Sequence, residues 1–168
     1  MTHEIQNIQP LLEKFDTSGP RYTSYPTAPQ FHTDITHKDW EIALQKSNES
    51  NNNISLYFHI PFCHSLCFFC GCNMQVTRNQ ALVESYLNHL FIEMEMITKK
   101  LDSNRTVSQI HFGGGTPNFL NPHQIIALGE KIHSIYNLSN KFEFSCEIDP
   151  RTISLNHVEA LMEIGVNR

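Results

Sequence analysis

Apolar and polar residues alternate most sharply in ISLYFHI (Ile54–Ile60), where Leu56, Phe58 and Ile60 share one face and Tyr57 and His59 the other. That period of two predicts a strand. VSQIHF (Val107–Phe112) predicts a second, ended by Gly113, Gly114 and Gly115, and FEFSCEI (Phe142–Ile148) a third, closed by Asp149 and Pro150. Between them the period changes. From about Asn79 to Lys100, Leu82, Tyr86, Leu87, Leu90, Met94 and Ile97 recur at helical spacing. Asn121 and Pro122 make a cap-then-proline start for a helix running to about Tyr136. Ser154 caps a last helix, which Gly165 ends where a left-handed residue belongs.

Upstream the pattern is weaker. Gly19, Pro20, Pro26 and Pro29 break any periodicity over Met1–Gln30, which predicts an irregular arm. Thr36, with Asp39 three residues on, caps a short helix through Trp40 and Leu44, and SNESNNN (Ser47–Asn53) reads as a polar connector. The expected organisation is an N-terminal arm with its short helix over residues 1–53, then three strand–loop–helix units over 54–168. Such alternation predicts an α/β fold with a parallel sheet and helices on its outer side. Three units are too few to close a barrel. The expectation is therefore a partial (β/α) barrel, reaching GVNR where a fourth strand would begin, as the front part of a longer protein.

Composition narrows the function classes. At 40% hydrophobic and 17% charged the chain is of ordinary globular type, and no apolar run approaches the ~20 residues that span a bilayer. MTHEIQNIQP lacks the layout of a signal peptide, so a cytoplasmic protein without a membrane partner is expected. The net charge of −5 argues against a general nucleic-acid binder. It also means that an anionic ligand must be met by locally placed groups.

In a parallel α/β fold, ligand chemistry sits beyond the C-terminal strand ends. Three features lie there: the cysteine loop CHSLCFFCGC, the triple glycine, and Glu147 with Asp149. Cys63, Cys67 and Cys70 form C-x3-C-x2-C, and Cys72 adds C-x-C. A reducing cytosol disfavours disulfides. Structural zinc is usually held by two separated ligand pairs, and no second pair follows, so the spacing favours an iron–sulfur cluster over zinc. Cys146 shares the face of Phe142, Phe144 and Ile148 and reads as a small buried hydrophobe. GGGTP is equally consistent with a flexible turn and with close approach of a ligand to the main chain. Glu147, on the polar face with Glu143 and Ser145, is either solvated or directed at a ligand.

HIPFCHSLCFFC resembles the CxxxCxxC signature of radical S-adenosylmethionine (SAM) enzymes, and HFGGGTP their glycine-rich loop. PRYTSYPTA (Pro20–Ala28), CFFCGCN and CEIDPR (Cys146–Arg151) extend the likeness to the oxygen-independent coproporphyrinogen III oxidases (dehydrogenases) of haem biosynthesis. The resemblance covers the chain from about Phe15 to Arg168. It implies a [4Fe–4S] cluster on Cys63, Cys67 and Cys70, with one iron left for SAM. It implies two SAM molecules, the first against Tyr57, Gly114 and Glu147, the second against Phe69, Gly115 and Thr116. No catalytic residue and no role for Cys72 follow from it. The implied substrate is coproporphyrinogen III, oxidatively decarboxylated by radical chemistry fed by a cytosolic electron donor. Arg21 is a candidate propionate clamp. The 168 residues alone are expected not to complete that reaction. Two other functions are compatible with the cluster motif: a related haem chaperone, which typically lacks PRYTSYP and the cysteine at Cys72, and a non-enzymatic iron–sulfur or zinc module.

Overall fold

The computed structural model of the chain describes residues 9–16, 27–50, 52–68 and 70–168. It divides into two compact units, Met1–Asp39 and Trp40–Arg168, where the sequence had suggested 1–53 and 54–168. In the first unit, helix α1 (Gln9–Phe15) and a 3-10 turn (Ala28–Gln30) stand within the stretch expected to be irregular, of which Gly19, Pro20 and Pro26 lie outside the described residues. Pro10 sits in the first turn of α1, where a missing N–H is harmless. Thr36 and Asp39 cap helix α2 (His37–Asn48) reciprocally: Asp39 N–H donates to Thr36 Oγ1 (3.3 Å) and Thr36 N–H to Asp39 Oδ2 (2.9 Å).

The second unit holds β1 (Ile54–Ile60), the two-residue strands β2 (Phe62–Cys63) and β3 (Gln75–Val76), α3 (Gln80–Thr98), β4 (Val107–Gly114), α4 (Pro122–Ile135), β5 (Leu138–Cys146) and α5 (Leu155–Glu163). The main sheet is parallel in the order β1-β4-β5. A three-stranded parallel sheet with its helices is the expected α/β fold, compatible with part of a barrel. Asn79, Asn121 and Ser154 cap α3, α4 and α5, the last two through reciprocal boxes with Gln124 and His157. Gly165 takes φ +95° just beyond α5.

One sheet face is apolar. Phe58, Ile60, Ile110, Phe112 and Phe144 meet Val83, Leu87, Ile125, Leu128, Ile132 and Leu161 from the three helices. Phe112 packs edge-on against Phe58 (5.5 Å) and Phe144 (4.8 Å), so truncating it to alanine should cost about 3–5 kcal/mol. The other face is polar and carries Tyr57, His111 and Ser145 in register.

Three details depart from the sequence reading. β4 continues through Gly113 and Gly114, paired with His59 and Ile60. β5 starts at Leu138, earlier than Phe142, because Leu138 pairs with Val107 before a register shift. It ends at Cys146, where Glu147 N–H donates to Phe112 O (2.9 Å), and Ile148 is consequently exposed instead of continuing the buried face. The polar SNESNNN stretch is also more than a connector: Arg105, buried, donates through Nε to Asn52 O (3.1 Å) and through Nη1 to Ser47 O. Asn167 and Arg168 already lie along β5, both donating to Phe144 O (2.9 and 3.2 Å). No helix of the described residues is long and apolar enough to cross a membrane.

Candidate functional site

The cysteine loop leaves β1 and is closed at its base. Gln75 N–H donates to Pro61 O (2.6 Å) and Thr77 N–H to Cys63 O (3.2 Å), so β2 and β3 pinch residues 64–74 into a loop above the strand end. Cys63 is buried at that base, Cys67 is exposed, and Cys70, half-buried, donates its N–H to Cys67 O (3.2 Å).

The glycine loop is joined to it by main-chain bonds. Gly115 N–H donates to Ile60 O (2.8 Å) and Thr116 N–H to Phe62 O (2.9 Å). Thr116 Oγ1 shares a hydrogen bond with Cys63 Sγ at 3.4 Å. A Cβ on residue 115 would come within 2.9 Å of that sulfur and 2.8 Å of Phe62 O, so only glycine allows the two loops to touch. Gly114, at φ +113°, turns its amide towards Glu147 Oε2 (3.3 Å).

On the polar face, Tyr57 stacks on His111 (5.7 Å between centroids, 16° between planes) and its hydroxyl lies 3.0 Å from His59 Nδ1. Burial, then the charges of Glu147 and Cys72, push the Tyr57 phenol up from its ordinary value. The Cys72 thiol is likewise pushed up, by burial first and then by Cys70, which places it beside that thiol. Cys146, by contrast, packs against the core, and burial pushes its thiol up to about 12.

Cys67, Gly115, Thr116, Glu147, Asp149 and Arg151 line a cleft of about 380 Å³ at the rim. One of its lining residues, Asp149, is held by a residue that the sequence did not flag. Asn118, 2% exposed, accepts from Asp149 N–H (2.7 Å) and donates to Thr152 Oγ1 (3.0 Å). Asp149 then receives Arg151 Nε and Nη2, each at 2.9 Å, and this pairing holds its carboxyl below the usual carboxylate range. Arg151 lies within CEIDPR without an assigned role, and its place just after a strand end is the signal by which it could have been found.

The residues expected to act together fall into two groups. Tyr57, Gly114 and Glu147 meet on the polar face, and Gly115, Thr116 and Cys63 meet at the joined loops. Cys67 reaches the cleft with Gly115, Thr116 and Glu147, while Cys70 is not among its lining residues. Phe69 and Arg21 lie outside the described residues.

Among the described residues, no three His, Cys, Asp or Glu side chains converge on one metal ion. A four-iron cube asks for something else: each thiolate holds its own iron, so the sulfurs stand around a volume instead of at a point. Three thiols carried on one pinched loop, one buried at its base and the others on its open part, fit that donor set.

Comparison with known proteins agrees with this chemistry. The model of the Radical SAM superfamily matches residues 57–168. The chain is 41% identical over 160 residues to the oxygen-independent coproporphyrinogen III oxidase of Pseudomonas aeruginosa, covering 94% of this chain and 35% of that protein. With the protein of the same name from Mannheimia haemolytica it shares 45% over 141 residues, 83% of this chain and 94% of that one. The solved structure of the Escherichia coli coproporphyrinogen III oxidase, described as a radical SAM enzyme, superposes with a TM-score of 0.81 at 40% identity, covering 94% of this chain and 34% of that one. The chain thus spans about a third of the Pseudomonas and Escherichia proteins. A cysteine loop sewn to a glycine loop at the rim of a parallel sheet, the superfamily match over that region, and identity along nearly the whole of one relative together settle that the chain belongs to the radical SAM superfamily and, within it, to the oxygen-independent coproporphyrinogen III oxidases.

Proposed function

We propose that the whole protein of which this chain forms part oxidatively decarboxylates coproporphyrinogen III to protoporphyrinogen IX in haem biosynthesis. Each of two propionates would lose a hydrogen atom from its β-carbon, carbon dioxide and one electron, leaving a vinyl group. Family membership implies a [4Fe–4S] cluster and SAM, and when bound they supply the radical that begins this chemistry.

This chain's part is to hold and orient them. Cys63, Cys67 and Cys70 are the cluster ligands, an incomplete set that leaves one iron for SAM. Tyr57, the Gly114 backbone and Glu147 would contact that SAM; Phe69, Gly115 and Thr116 would contact a second. The observation that carries the reading is the joining of the Cys63 segment to Gly115 and Thr116 by two main-chain bonds, which puts cluster loop and ligand loop at one rim. The substrate is a polyanion and the chain carries −5, so its carboxylates need a local cation, for which Arg21 is our candidate. Five free cysteines suit the reducing cytosol, where an electron donor is required.

The test is anaerobic turnover by the reconstituted full-length protein, following product as fluorescent protoporphyrin after oxidation. SAM-dependent formation is expected. Haem transfer without turnover would instead identify a chaperone, and a colourless, zinc-loaded protein would refute the cluster.

A further inference from the structure

His111 lies midway along the polar face of β4, in register with Tyr57 of β1 on one side and Ser145 of β5 on the other. Both ring nitrogens and one ring face have partners, and the side chain is 37% exposed. Nδ1 lies 2.6 Å from Ser145 Oγ, and Nε2 lies 3.3 Å from Glu147 Oε1. One ring face stacks on Tyr57 at 16°. Towards the strand end it abuts Gly113, where an added Cβ would stand 2.9 Å from Nε2. Ser145 Oγ has two acceptors within reach, Ile110 O at 3.4 Å and Nδ1 at 2.6 Å; with the hydroxyl given to the nearer Nδ1, the proton sits on Nε2 and is donated to Glu147. The other carboxylate oxygen of Glu147 takes the Gly114 amide at 3.3 Å. Glu147 is therefore held at both oxygens although its side chain is 56% exposed.

We propose that His111 is a positioning residue, which fixes the Glu147 carboxylate against the Gly114 amide and sets the Tyr57 ring beside it, so that both meet bound SAM in one arrangement. This rests on the reading that Glu147 contacts SAM. An exposed glutamate left to itself samples several rotamers. A ligand that requires one of them binds more weakly by the fraction populated. His111 removes that loss without touching the ligand.

The test uses the full-length protein with its cluster reconstituted, and reads SAM affinity by anaerobic equilibrium dialysis alongside iron content. His111→Ala should weaken SAM binding about tenfold, the effect of losing one hydrogen bond to a charged group, with iron unchanged. His111→Gln should restore most of the affinity, because its amide N–H falls where Nε2–H stood. His111→Asn reaches only the Nδ1 position and should not. In a Glu147→Gln background, His111→Ala should add little, since the coupling runs through that carboxylate. Full affinity in His111→Ala beside a weakened Glu147→Gln would overturn the proposal. So would equal rescue by Asn and Gln, which would mean that the ring merely fills space. Wild-type binding by Glu147→Gln would instead overturn the reading of Glu147 itself, and the proposal with it.

Discussion

Gly115→Ala is the substitution on which the joined-loop geometry can be judged. The backbone conformation is no obstacle, because among the described glycines only Gly114 and Gly165 have positive φ. The contact is the obstacle. The new Cβ would lie 2.8 Å from Phe62 O, 2.9 Å from Cys63 Sγ and 3.0 Å from Phe62 N, against about 3.5–4.0 Å for an unstrained carbon contact. Two of the three are backbone atoms of Phe62, and the third is the sulfur of buried Cys63. If the loops stay together, such overpacking costs about 1–3 kcal/mol. If they part, the bonds from Gly115 to Ile60 and from Thr116 to Phe62 are lost at about 1 kcal/mol each. Both routes give about 2 kcal/mol, a fall in melting temperature of about 4–8 °C for a domain of this size.

Gly113→Ala is the control. Its Cβ would meet the rings of His111 and Tyr57, which can turn aside. Iron analysis after anaerobic reconstitution, with thermal unfolding by circular dichroism, separates the two. Gly115→Ala should lose iron and stability together, because Cys63 must move. Gly113→Ala should keep its iron and bind SAM more weakly. A Gly115→Ala protein with full iron content and an unchanged melting temperature would refute the loop geometry.

Further outcomes follow from neighbouring residues. Cys63→Ala, Cys67→Ala and Cys70→Ala should each lose cluster iron, whereas Cys146→Ala should retain it; equal loss in the Cys146 and Cys67 variants would contradict the ligand assignment. Cys146, whose thiol burial pushes up to about 12, stays protonated at pH 8, so iodoacetamide should label exposed Cys67 of the apo chain far faster, as peptide mapping would show. Asn118→Ala strips Asp149 N–H and Thr152 Oγ1 of a buried partner and should cost about 2–3 kcal/mol in urea unfolding; a change within 0.5 kcal/mol would mean that the loop holds itself.

The strands and helix starts were legible because their signals are local. The alternation in Ile54–Ile60 and the caps at Asn121 and Ser154 each need only a few neighbouring residues. The rim position of the cysteines, glycines and Glu147 followed from their place after strands. What escaped was decided at a distance. The seven residues of α1 are too few to show a helical period beside a stretch broken by Gly19, Pro20, Pro26 and Pro29. The LSNK opening of β5 has no strand character, and its pairing comes from Val107. Two-residue strands such as β2 and β3 have no period at all. His111 was missed for the same reason: its partners Ser145 and Glu147 are more than thirty positions away and are set by the register of β4 on β5.

That register also explains why the site needs so few dedicated contacts. The polar sheet face is laid out in rungs, with Ser55, Gln109 and Glu143 on one and Tyr57, His111 and Ser145 on the next. Within the lower rung Ser55 Oγ donates to Gln109 Oε1 (2.8 Å), and Arg168 donates to Glu143 (3.0 Å). Glu147 stands above these rungs, beyond the end of β5. There the ladder stops and the Gly114 amide is free to turn towards a carboxylate. One residue further on, the Gly115 and Thr116 amides are instead committed to Ile60 and Phe62, on either side of the turn into the cysteine loop. Displacement of the glycine loop is therefore transmitted to Cys63 through main-chain bonds, and displacement of Cys63 is felt at Gly114 and Glu147. If SAM binds on that loop as proposed, its site would be coupled to the thiols of the cysteine loop, and by linkage the coupling would act equally in both directions.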